Sequence, residues 1–178
     1  MKRKHIVLIV SDQHRGDLTG AGGNPWIHTP TIDALASRGV HYASTYCNSP
    51  LCGPSRMSFL TGLLPTRTNV HNNRQALASH IPTIAHAMGA AGYRTVLCGR
   101  MHFIGPDQRH GFHERLVGDH GPTNVAFREN PLGVFDGTTG QNLRALQQSG
   151  TGVSPVMLYD DEVIRAAVER IASHDDDA

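Results

Sequence analysis

Cys52-Gly53-Pro54-Ser55-Arg56-Met57-Ser58-Phe59-Leu60-Thr61-Gly62 is the stretch on which the reading of this chain turns. Its grammar is that of a short helix. Pro54 suits the first turn, where a missing N–H is no loss and φ is already near the helical value. The run continues through Arg56 and Phe59 to Thr61, Gly62 supplies the left-handed terminator, and Pro65 lies just beyond. A residue at the amino end of such a helix, here Cys52, sees unpaired N–H groups and a positive dipole end, which together favour an anionic group. Arg56 adds a planar, permanently charged donor on the same short element. In isolation a buried thiol and a surface arginine would account for these two residues; the pattern as a whole carries the argument.

Working outward, the chain alternates between strand-like and helix-like segments. On the amino side, His5 to Val10 is a continuous apolar run that opens into Ser11-Asp12-Gln13, the pattern of a buried parallel strand ending in a polar loop. Carboxyl ends of such strands are where α/β sheets bind ligands. Thr29-Pro30 offers an N-cap and first-turn proline for a helix with Ile32, Leu35 and Ala36 as its apolar stripe and Gly39 as its stop. Val40 to Tyr46 then alternates as a strand. On the carboxyl side, Pro82 to Ala91 reads as a helix with Ile84, Ala85 and Met88 inward and Gly92 after it, and Tyr93 to Cys98 as a further strand. Tyr159 to Ala172 is a helix with Val163, Ile164, Ala167, Val168 and Ile171 as its apolar set. The alternation predicts an α/β fold, a mostly parallel sheet covered by helices. Residues 118–154, rich in Gly, Asn, Thr and Pro, read as an irregular excursion or substrate loop.

Composition excludes several function classes. A formal net charge of +1 across 178 residues gives no electrostatic reason for a nucleic-acid or membrane-surface partner. No apolar run approaches the ~20 residues of a membrane span, and the apolar run after Met1-Lys2-Arg3-Lys4 is too short for a signal-peptide core, so the expected location is the cytoplasm. Three cysteines, Cys47, Cys52 and Cys98, form neither a disulfide framework nor a zinc spacing. That leaves room for a cysteine used as a chemical group.

Cys52-Gly53-Pro54-Ser55-Arg56 followed by Leu60-Thr61-Gly62 resembles the sulfatase signature C-x-P-S-R-x-x-x-L-T-G at every fixed position. Asp12 at the end of the first strand and Gly99-Arg100-Met101-His102-Phe103-Ile104-Gly105 after a later one resemble two further segments of that family. Ser49-Pro50-Leu51, Asn72-Asn73 and the run from Met101 through His110-Gly111-Phe112 look like its choline-sulfatase and phosphonate-monoester-hydrolase branch. The resemblance is good over Lys4 to Glu114 and weak thereafter. It implies an alkaline-phosphatase-like α/β domain of which residues 1–178 would be the amino-terminal portion, incomplete at its carboxyl end.

The resemblance also implies a chemistry. Cys52 would be oxidised to formylglycine by a maturation enzyme that reads the pentapeptide, and the hydrated aldehyde would attack sulfur. Asp12, with Gln13 where many members carry a second acid, would ligate a divalent cation together with the residue derived from Cys52. Calcium is the expected ion, with magnesium and manganese as alternatives. Arg56 and Arg100 would steady charge, Arg100 standing where the family usually has lysine. His102 would handle the proton, and Asn73 would touch substrate. The implied activity is hydrolysis of a small sulfuric ester, with phosphonate or phosphate esters as the alternative substrates and a non-catalytic truncated remnant as the reading from another class. The family's remaining metal and anion ligands fall beyond the matched segments. A sheet left unfinished in this way would expose an edge and part of the last helix, which makes self-association an expectation as well.

Overall fold

The computed structural model describes residues 4–119 and 151–173, divided into two units, Met1–Tyr46 and Cys47–Ala178. The expected excursion at 118–154 therefore lies almost wholly outside the described residues.

In the first unit, helix α1 (Pro30–Arg38) forms where the Thr29-Pro30 signal placed it. Thr29 does not cap it through the expected side-chain bond. Its hydroxyl instead donates to Asp33 Oδ1 at 3.0 Å and accepts from Gly20 N–H at 2.9 Å, while Ala21 N–H donates to the same Asp33 oxygen at 2.7 Å. The first-turn carboxylate thus ties the loop before the helix to the helix itself. The two expected strands are corrected. His5–Val10 and Val40–Tyr46 carry no ladder, and Ile9 and Tyr46 are 85% and 88% exposed. A parallel strand is stable only with neighbours on its edges and cover on its faces, and among the described residues of this unit neither is present. For the same reason no residue of α1 is buried, Ile32 and Leu35 included.

In the second unit, α2 (Cys52–Thr61) ends at Gly62, whose φ of 71° lets its N–H close back on Ser58 O at 2.8 Å. A β-carbon there would be strained. One turn further, Leu64 and Pro65 lead into α3 (Pro65–Thr68). Helix α4 (Ile84–Ala90) starts one residue past Thr83, whose N–H donates to His86 Nδ1 at 3.1 Å. Ala85 is its buried residue; Ile84, expected inward, is half exposed. Strand β1 (Val96–Leu97) is the centre of the expected Tyr93–Cys98 strand, and it pairs in parallel with β2 (Glu114–Arg115), an element the sequence did not announce. Flanking bonds lengthen the pairing: Leu116 N–H to Leu97 O at 2.9 Å and Gly99 N–H to Val117 O at 3.0 Å.

Residues 98–113 connect these parallel strands without a helix. They fold inward, so Met101 and Phe103 join Met57 and Leu60 of α2 with Val70, Leu77 and Leu97 in one apolar core. Helix α5 (Pro155–Ala172), capped by Ser154 Oγ accepting from Met157 N–H, lies along the sheet through Tyr159, Val163 and Arg170. Tyr159 is 3% exposed and its hydroxyl donates to Gly118 O at 2.6 Å. Of the apolar set of this helix, Val163 and Ala167 are partly buried, while Ile164, Val168 and Ile171 point outward. The helix lays the Tyr159, Val163, Arg170 side against the sheet, and its other apolar side is left to solvent.

Candidate active site

Helix α2 begins at Cys52, and its first turn is buried at Gly53, Pro54 and Arg56. Prolines and small residues let the backbone enter this turn closely packed, and the first amides of any helix lack internal partners. One of them is taken by a side chain from elsewhere in the chain: Asn73 Oδ1 accepts from Gly53 N–H at 2.8 Å. Asn73 therefore stands beside Cys52, and its amide oxygen, expected from the resemblance to touch substrate, serves here as a remote helix cap.

The loop after β1 also reaches Cys52. Arg100 Nη2 lies 4.0 Å from Cys52 Sγ and 3.3 Å from His102 Nδ1. Arg56, 7% exposed, donates from Nη1 to the Arg100 carbonyl at 3.1 Å, so one arginine holds the backbone from which the other extends. His102 Nε2 lies 3.2 Å from the Asn73 carbonyl. A guanidinium can only donate. His102 Nδ1 must then be the acceptor, which puts the proton on Nε2, directed at Asn73 O. Both ring nitrogens are engaged and the imidazole is held in one tautomer.

The electrostatics agree with a neutral ring. Burial first, and the charges of Arg100 and Arg56 after it, push the His102 pKa below its usual value, against the opposing pull of the Asn73 carbonyl and Asp119. A neutral imidazole near two guanidiniums and a helix amino end makes a pocket with excess positive charge, suited to a tetrahedral anion.

Asp119 is the residue of this region that sequence reasoning missed. It is 7% exposed; its Oδ1 accepts from Met101 N–H at 3.0 Å and His102 N–H at 2.8 Å, and its Oδ2 pairs with Arg115 Nη2 at 2.6 Å. The one available signal was an acidic residue among glycines just after Arg115, which composition alone would assign to a turn.

Cys52, Arg56, Asn73, Arg100 and His102 are thus brought together in the second unit. Asp12 and Gln13 belong to the first, in a turn at 12–13 where Gln13 takes φ 53° and both residues are exposed. A hard cation such as calcium takes six to eight oxygen ligands, and among the described residues no three His, Cys, Asp or Glu side chains lie close enough to hold a metal. The donors described do not make such a site by themselves.

A model of the sulfatase family matches residues 4–177. The chain belongs to the sulfatase family. A curated choline-sulfatase of Rhizobium meliloti is 40% identical over 175 residues, which cover 95% of this chain and 34% of that relative. The sulfatase chain described here accordingly spans about a third of the length of that relative. A protein solved in complex with its substrate D-glucosamine-2-N,6-O-disulfate superposes at a TM-score of 0.56, with 28% identity, over 60% of this chain and 21% of that one. Phosphonate monoester hydrolase of Agrobacterium radiobacter superposes at 0.62 with 20% identity over 93% of this chain and 37% of that one, a likeness of fold. The α/β architecture expected from the sequence, a parallel sheet with helices, is that of these sulfatase and alkaline-phosphatase-like neighbours.

Proposed function

We propose that this sulfatase segment carries the nucleophile half of a sulfuric-ester hydrolase, with Cys52 as the precursor of the attacking group. The observation that carries the reading is the convergence of Arg100, His102 and the Asn73-capped amino end of α2 on Cys52. The substrate class is a small anionic ester. Formylglycine at position 52 would supply a hydrated aldehyde, one hydroxyl of which attacks sulfur as the S–O bond of the ester breaks and the alcohol leaves. The other gives up its proton so that the C–O bond breaks, sulfate departs and the aldehyde is restored. A divalent cation, calcium in this reading, would polarise the ester. The chain's own residues do the rest. The positive dipole end of α2 and the guanidinium of Arg100 bind and orient the anion. Arg56 fixes the Arg100 backbone. His102, kept neutral and in a single tautomer, is poised to take a proton once the Arg100 contact shifts onto the bound anion.

Two measurements test this. Co-expression with a formylglycine-generating enzyme should lower the mass of the Cys52 peptide by the difference between sulfur with two hydrogens and oxygen. An unchanged mass in the presence of an active maturation enzyme counts against Cys52. Aryl sulfate and aryl phosphonate esters assayed in parallel, on the converted 178-residue chain and on a chain extended to a sulfatase's full length, then separate the remaining readings. A phosphonate preference replaces the ester class, and turnover by the extended chain alone identifies the shorter one as catalytically incomplete.

A further inference from the structure

We propose that Asp119 is the positioning residue that fixes His102 against the Cys52 pocket. His102 adopts φ 59°, a left-handed conformation that residues with a β-carbon occupy sparsely. Something must hold it there. The peptide groups before and at His102 point their N–H bonds at the same atom, Asp119 Oδ1, at 3.0 and 2.8 Å. Two consecutive amides can meet one oxygen only if the backbone at Met101, which lies between them, curls, and the carboxylate so fixes the peptide plane on which the positive φ of His102 is built.

The carboxylate is itself held from the other side. Arg115 Nη2 binds Oδ2 at 2.6 Å, and Arg115 Nη1 is anchored by Gln108 O at 3.1 Å and Gln108 Oε1 at 2.6 Å. The guanidinium lies 5.7 Å from the centroid of Phe103, a fully buried ring one residue beyond His102. The residue before Asp119 is tied to α5 through the Tyr159 hydroxyl. With the main chain fixed in this way, the His102 ring falls between Arg100 and Asn73; an extended conformation at 102 would swing it out of both contacts. Asp119 touches neither Cys52 nor the ring, so its part is placement. Its bearing on the reaction rests on the function proposed above, while the placement of His102 is measurable without it.

The test uses the full chain labelled with 15N, at a pH where His102 is neutral. In the parent chain the two ring nitrogens should show the widely separated shifts of a fixed Nε2–H tautomer. Asp119→Ala should collapse that separation toward the average of an exchanging mixture, with the methyl signals of Leu60, Val70 and Leu97 unmoved, and Asp119→Asn, which retains the Oδ1 acceptor, should keep most of it. A fixed-tautomer pattern in folded Asp119→Ala overturns the proposal. Should that variant not fold, Asp119→Ala is made in the His102→Gly background, where glycine accepts positive φ without assistance. Folding restored in the double variant supports the proposal, and a double variant that still fails to fold overturns it. Neither readout uses ester turnover, so a failure of Cys52 conversion is distinguishable from a failure of placement.

Discussion

Asn73 Oδ1 accepts the backbone N–H of Gly53 across twenty positions of sequence, at 2.8 Å. Its oxygen being committed to the helix, only its amide N–H groups remain to meet an anion. The two duties separate by substitution. Asn73→Ala should cost about 1 kcal/mol, the usual worth of a lost cap, read by thermal or urea unfolding. Asn73→Asp should restore that stability, because a carboxylate caps as well and suits the dipole. It should still weaken inorganic sulfate binding by placing a negative charge beside the pocket. Equal sulfate affinity in Asn73→Asp and the parent would remove Asn73 from the anion site.

Arg100→Gln removes the cation next to His102. Since that charge disfavours the imidazolium, its loss should raise the His102 titration midpoint toward the ordinary histidine value, without reaching it, because burial is the larger cause and persists. NMR titration of the His102 ring checks the sign. In a catalytically complete form, the same change should lower turnover by about 100-fold or more, the usual effect of removing one preorganised donor to developing charge.

Stability should fall in acid through histidine. His110 is 1% exposed, its ring 4.5 Å from Phe103, and burial depresses its pKa; Asp107 opposes the shift from 3.3 Å, while His86 and Arg115 add to it. His102 is depressed as well. With folded-state values below the unfolded one, the unfolded chain binds protons first. The folded state is then fully favoured above pH about 6.5 and loses ground as pH falls through the folded values. His110→Phe should flatten part of this slope in urea unfolding followed from pH 7.5 down to 5. A slope unchanged by that substitution would assign it to other groups.

Helix α5 turns Met157, Ile164, Val168 and Ile171 to solvent, each at least 50% exposed. Contiguous exposed apolar surface of this kind favours association. Light scattering coupled to size exclusion should show mass rising with concentration, and Ile164→Glu with Val168→Lys should reduce it. A concentration-independent monomer in the parent chain would refute this.

How far the sequence was legible follows the range of the interactions. Helix α2 could be read to the residue at its end because Pro54 and Gly62 act locally through their own φ preferences. Arg100 and His102 were singled out by the motif around them, and α1 was read from Thr29-Pro30. What escaped depended on partners distant in sequence. Asp119 acquires its meaning only from two amides seventeen and eighteen positions earlier. The apolar run at His5–Val10 states what kind of neighbour it wants and cannot state whether one is alongside. Strand β2 was missed because Glu114-Arg115 is polar and short, and its pairing is decided by the backbone of Thr95 and Leu97. Tyr159 dictated which side of α5 faces the sheet, against the larger aliphatic count of the other side.

The contacts that close the Cys52 pocket also set a clock. Arg100 lies forty-eight positions after Cys52, and Asp119 comes later still. At translation rates of about 5–20 residues per second, the thiol leaves the ribosome roughly 2–10 s ahead of Arg100, and longer ahead of the carboxylate that shapes the His102 turn. During that interval Cys52 is a side chain on an unclosed peptide, open to any reagent that can grip an extended backbone. Once Leu97 and Phe103 draw the loop into the core, the same sulfur is half-buried with the Arg100 guanidinium 4.0 Å away. Access to Cys52 is therefore rationed by the time at which each part of the chain is made.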